Sequence, residues 1–178
     1  MNETKLKEFL VSSDSVRLIT TKSEDHDKTV FNILKILTKN YKKTGVHVSL
    51  NHSIEHCRTR YTNNKLDQTK LILVGCGGEM SKKGKNNFAV SDAASLTDMF
   101  LILKEIASEN KCGFIVIDSL STLLLYNDEK NVERFIHYLI QYVRRIKKKL
   151  VITSVNDERT QKIRPLICQY VDKSLEIK

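Results

Sequence analysis

Residues 16–37, VRLITTKSEDHDKTVFNILKIL, constrain this chain more than any other stretch. A β-branched apolar run passes through a polar segment into a region where Val30, Ile33, Leu34 and Leu37 recur at i, i+3, i+4 and i+7. The first pattern suits a strand covered on both faces, and the second a helix with one apolar side. Parallel strands need a crossover between them, so strand followed directly by helix is the building unit of a parallel sheet.

The rest of the chain repeats that unit. Residues 3–11 predict a short helix packing Leu6, Phe9 and Leu10. Residues 16–21 form the first strand and 22–27 a turn, with Asp27 as the N-cap of a helix that runs to about residue 43 and stops at Gly45. Residues 46–50 read as a second strand, 53–63 as a helix, and 70–74 as a third strand closed by Gly75, Gly77 and Gly78. Residues 79–92, with Gly, Lys, Asn and Ser throughout, read as a mobile surface loop. Ser91 or Asp92 caps a helix to about residue 110, with Leu96, Met99, Phe100, Leu103 and Ile106 inward. Residues 112–118 are the most hydrophobic strand, which places them at the sheet centre. A helix over 129–148, a strand over 150–154, a helix over 158–170 that Pro165 disfavours, and a last strand over 173–178 complete the series. The expectation is one α/β domain over residues 1–178, a three-layer α/β/α arrangement with a mainly parallel central sheet and residues 1–14 as an N-terminal helix or extension.

At 178 residues the chain is long enough for one sizeable core. Hydrophobic residues at 40% and charged residues at 29% exclude a disordered chain. No apolar run approaches the ~18–20 residues that cross a bilayer, and MNETKLKEFL lacks a signal-peptide core, so the expectation is a cytoplasmic protein without a membrane role. The net charge of +9 fits either an anionic partner or a lysine-rich solvated surface. Its densest cluster, Arg144, Arg145, Lys147, Lys148 and Lys149, closes a long helix. It is a candidate nucleic-acid patch, and it equally complements the negative end of that helix. Cys57, Cys76, Cys112 and Cys168 stand far apart without a CxxC pair, which suits small buried residues rather than zinc or disulfides. His52 and His56 lie one helical turn apart, a spacing compatible with zinc, but further ligands are not evident nearby.

Ligands of open parallel sheets sit beyond the carboxyl ends of the strands. The pattern GxxxxGK[ST] of a phosphate-binding loop, laid on KSEDHDKT at 22–29, keeps Lys28 and Thr29 and puts Lys22 and Asp27 where glycines belong. FIVIDSLSTLLLY at 114–126 has the form of a Walker B strand and its continuation, with Asp118 at the strand end. KLILVG and LVITSVN fill the neighbouring strand slots. In order and spacing, over nearly the whole chain, this resembles the RecA superfamily of P-loop ATPases, in particular its KaiC-like and RadA-like members. The resemblance implies a RecA-like topology, with Lys28, Thr29 and Asp118 as vestigial nucleotide-binding residues, Asp118 being the one that would hold Mg²⁺ through water. It also implies a catalytic Glu after the second strand, where Asn51 and His52 stand instead. Without glycines the backbone N–H groups cannot converge on phosphates, and Glu24, Asp25 and Asp27 would repel a triphosphate. The expectation is a pseudo-ATPase with no catalytic residue and no required cofactor, acting on a protein partner or in a homo-oligomer. The alternative is an ATP/Mg-binding or DNA-linked ATPase of the RadA-like kind with an altered loop.

Overall fold

The structure is a computed structural model that describes residues 3–76, 81–82, 86–90, 92–108 and 112–177. In chain order the elements are α1 (Glu3–Val11), β1 (Val16–Thr21), α2 (Ser23–Asn40), β2 (Thr44–Ser49), α3 (Ile54–Asn63), β3 (Leu71–Cys76), β4 (Ser81–Lys82), β5 (Asn87–Val90) and α4 (Leu96–Ser108). They continue as β6 (Cys112–Asp118), α5 (Leu120–Tyr126), α6 (Glu129–Arg145), β7 (Lys149–Val155), α7 (Glu158–Tyr170) and β8 (Lys173–Ile177). The strands form one sheet in the order β4-β5-β3-β2-β6-β7-β1-β8. Every pairing is parallel except that of the edge strand β4 with β5. β6 lies between β2 and β7, as its hydrophobicity predicts.

Side-chain alternation divides the core into two layers. Val46, Val48, Ile115, Ile117, Leu150 and Ile152 pack against α4, α5, α6 and α7 on one face. Ile19, Leu71, Leu73, Phe114, Val116 and Val151 pack against α1, α2 and α3 on the other. The same parity sends His47 of β2 and Asp118 of β6 toward α2 and α3. The three-layer α/β/α expectation therefore holds, and it decides which polar residues can meet.

Several local expectations are corrected. α2 begins at Ser23 with Lys22 as its N-cap, not after Asp27. It ends at Asn40, where the Tyr41 N–H bonds the Leu37 carbonyl. Gly45 belongs to β2, paired with Leu71 and Phe114, and a Cβ there would lie 1.9 Å from the Phe114 ring. Residues 120–126, read as the continuation of a strand, are helix α5. Within 79–92, residues 81–82 and 87–90 are strands, while the expected mobility at 79–80, 83–85 and 91, with Ser91 as a cap, lies outside the described residues. The Asp92 carboxylate accepts from the N–H groups of Ala94 and Ser95, a turn ahead of α4. α7 runs through Pro165.

At the opposite end of the sheet, Arg17 of β1 is fully buried. Its guanidinium donates to the carbonyls of Phe9 and Ser12 at the C-terminus of α1, at 2.6 and 2.7 Å. Arg17 thus ties α1 to the sheet through the negative end of the helix. Among the described residues no helix is long and apolar enough to cross a membrane.

Candidate functional site

At the carboxyl ends of β1, β2 and β6, a buried polar cluster interrupts the apolar layer under α2. Asp118 is 3% exposed and His26, in the first turns of α2, is 5% exposed. His26 Nε2 stands 2.7 Å from Asp118 Oδ1, so this nitrogen carries the proton and donates to the carboxylate. The Thr21 hydroxyl lies 3.2 Å from His26 Nδ1 and can donate to it or accept from it, whichever protonation state the ring holds. His47, on β2, presents Nε2 at 3.6 Å from Asp118 Oδ2, while its Nδ1 bonds the Tyr61 hydroxyl of α3. The Thr153 hydroxyl, which donates to the Ile117 carbonyl, lies 3.5 Å from Asp118 Oδ1. Burial pushes the Asp118 carboxyl up, and the hydrogen bond from His26 with the nearby imidazole of His47 outweighs it, holding the group below the usual carboxylate range. Tyr61 is buried too, which pushes its phenol up and keeps it a neutral donor or acceptor. Cys57 donates to the Ser49 hydroxyl at 3.2 Å; burial raises this thiol, the opposite of what a nucleophile needs.

Among the described residues His47 Nε2 has no hydrogen-bond partner, and His47 lines a cavity of about 20 Å³ with Asp118, Ser49, Cys57 and Tyr61 among the other walls. That is room for about one water and no more. The outer wall of the cavity is a surface ion pair, Asp27 with Arg60 at 3.0 Å, with His52 3.6 Å from Asp27. The rings of His52 and His56 lie 4.8 Å apart, and no group of three or more metal-binding side chains forms among the described residues.

The residues singled out from the sequence are not brought together. Only Lys22 separates β1 from α2, so 23–29 are helical and no loop surrounds an anion. Lys28 is exposed in the second turn of α2, Thr29 is buried, and Asp118 bonds His26 rather than facing an open site. A helix N-terminus attracts anions, but this one carries Glu24 and Asp25 in its own first turn. The adjoining groove of about 590 Å³ over the strand ends contains Lys22 against Glu24 and Asp157. Asn51, where the resemblance implies a Glu, accepts the Thr122 hydroxyl at 2.7 Å within that groove. Of the basic cluster, Arg144 pairs with Asp172, Lys148 donates to the Cys112 carbonyl, and Lys149 reaches the carbonyls of Ser12 and Asp14. Arg145 stacks over Tyr142 and Lys147 is exposed. The four cysteines are free thiols.

No protein-family model matches the sequence, and no curated protein matches it. The crystal structure of a KaiC-like protein from the hyperthermophilic archaeon Pyrococcus horikoshii OT3 is similar over 92% of this chain and 72% of its own, with TM-score 0.60 and 15% identity. The fold is KaiC-like. The layered α/β arrangement that the order of motifs implied is thus shared with that structure, at an identity that speaks to the fold alone. The polar residues that meet Asp118 at the strand ends, His26, His47 and Thr21, with Tyr61 behind His47, are ones the motif pattern passes over. One signal was present: strands buried on both faces are normally continuous apolar runs, and TGVHVS and FIVID each place a polar residue inward.

Proposed function

We propose that this chain is a non-catalytic KaiC-like domain, a pseudo-ATPase that acts as a regulatory or assembly partner rather than by turnover. One observation carries the reading. His26, from a helix that starts where a phosphate loop would be, holds the carboxylate that would otherwise orient Mg²⁺. The imidazole serves as an internal partner for Asp118, and Glu24 and Asp25 set negative charge at the helix end where phosphates would arrive. A protein partner or a second copy of the chain is then what the domain acts on. Isothermal titration with Mg-ATP tests the reading: it expects no binding heat, and a micromolar Kd would overturn it. The competing DNA-linked ATPase requires phosphate release stimulated by DNA and abolished in Asp118→Ala.

A further inference from the structure

We infer that the groove between α4 and α6 docks an acidic amphipathic helix of a partner protein. The groove is about 870 Å³. Leu96 and Phe100 of α4 and Phe135 and Tyr142 of α6 supply its apolar lining, and Tyr138 stands on its rim, 58% exposed. Arg134 and Arg145 line it as well, both exposed, and among the described residues no carboxylate does. Positions 134, 138, 142 and 145 fall on one stripe of α6, so the two arginines bracket the aromatic rings about 16 Å apart along the helix. The ring of Tyr142 is fixed between Phe100, at 5.8 Å, and the Arg145 guanidinium, at 5.4 Å, while its hydroxyl donates to the Lys104 carbonyl. Part of the surface is therefore set before anything binds.

Charge and spacing choose the occupant. An apolar trough between two helices receives the apolar face of a third, read as anchors at i, i+4 and i+7. Tyrosine and arginine are the side chains that carry most binding energy at such interfaces. Two cations about three turns apart along the trough select a helix with acidic residues at that spacing. A nucleic-acid strand carries a phosphate at every nucleotide, and its affinity grows with the number of phosphates neutralised. Here the lining offers two arginines about 16 Å apart, and such a strand would lie between them on the rings of Tyr138 and Tyr142. The groove is remote from His26 and Asp118 in the lining of its walls, so this inference and the Mg-ATP reading fail separately.

The test is fluorescence anisotropy of a labelled synthetic helix with leucines at i, i+4 and i+7 and glutamates about three turns apart. Its controls are the same peptide with lysines for glutamates and an oligothymidylate. We expect the glutamate peptide to bind with a Kd in the tens of micromolar and the lysine peptide at least tenfold more weakly. Arg134→Glu with Arg145→Glu loses at least tenfold, Tyr138→Ala loses severalfold, and Lys147→Glu, outside the groove, changes nothing. Equal binding of the two peptides, or binding indifferent to Arg134 and Arg145, overturns the inference. Displacement of the glutamate peptide by oligothymidylate, dependent on the same arginines, overturns it in favour of nucleic acid.

Discussion

Asp118 shows how one side chain is made tolerable inside an apolar layer. A buried carboxylate without donors costs several kcal/mol, and here His26 supplies a donor at 2.7 Å with His47 close by. Removing His26 leaves the charge without its nearest partner, so His26→Ala should lower stability by about 2–4 kcal/mol in urea unfolding, well above an exposed substitution such as Lys28→Ala. The same pair sets a pH dependence. The Asp118 carboxyl is lowered in the fold from the ordinary 3.8, so as pH falls the unfolded chain takes up this proton first. The stability it contributes is present above that value and is lost as pH falls from there toward the folded value. Urea midpoints recorded between neutral pH and strong acid should fall less steeply below pH ~4 for Asp118→Asn than for the natural chain, although the variant starts out less stable.

At the scale of elements, α2 and α5 differ most from what pattern alone suggests. The apolar stripe Val30, Ile33, Leu34 and Leu37 was legible because its period is local and it faces one sheet. The start of α2 was not. Asp27 is a good N-cap by type, but nothing in KSEDHDKT requires a loop once glycines are missing, and Glu24 and Asp25 favour helix at its positive end. The helix therefore extends back to Ser23, which brings His26 onto the face that meets Asp118. α5 was missed because LLLY continues an apolar run, and a short run does not reveal its own period. The tie between α1 and the sheet was hidden in a strand-forming arginine. Arg17 serves the carbonyl of Phe9 in α1 and that of Ser12 just after it, and among the described residues one of its own nitrogens, Nη1, has no hydrogen-bond partner. Arg17→Ala should therefore release α1 in particular: hydrogen exchange at residues 3–11 becomes fast, with a loss of about 2–3 kcal/mol in global stability. Gly45→Val tests β2 in the same way, since its side chain meets the Phe114 ring; urea unfolding should show a loss of about 2–3 kcal/mol.

For the whole molecule, the order of strands and helices was readable because each buries a large apolar face, and those faces dominate the free energy of folding. The polar cluster was unreadable for the opposite reason. His26 and Asp118 stand 92 positions apart, and only α2 laid over the end of β6 makes them neighbours. The net charge of +9 pointed to an anionic partner without saying where, and the structure commits Arg144, Lys148 and Lys149 of its densest cluster to internal partners. Such a molecule can be asked as a whole whether it holds nucleotide, because any ligand of the folded state raises its unfolding temperature. A site filled at a hundredfold excess over Kd adds about 2.7 kcal/mol. For a chain of 178 residues that corresponds to a rise of roughly 5–10 °C. With His26 on Asp118 and no loop to receive phosphates, millimolar Mg-ATP should leave the melting temperature unchanged within a degree or so. His26→Ala should stay equally indifferent, because removing the imidazole frees the carboxylate without supplying the missing backbone N–H groups. A rise in the natural chain would place a nucleotide on this fold after all; a rise only in His26→Ala would mean that the imidazole alone keeps it out.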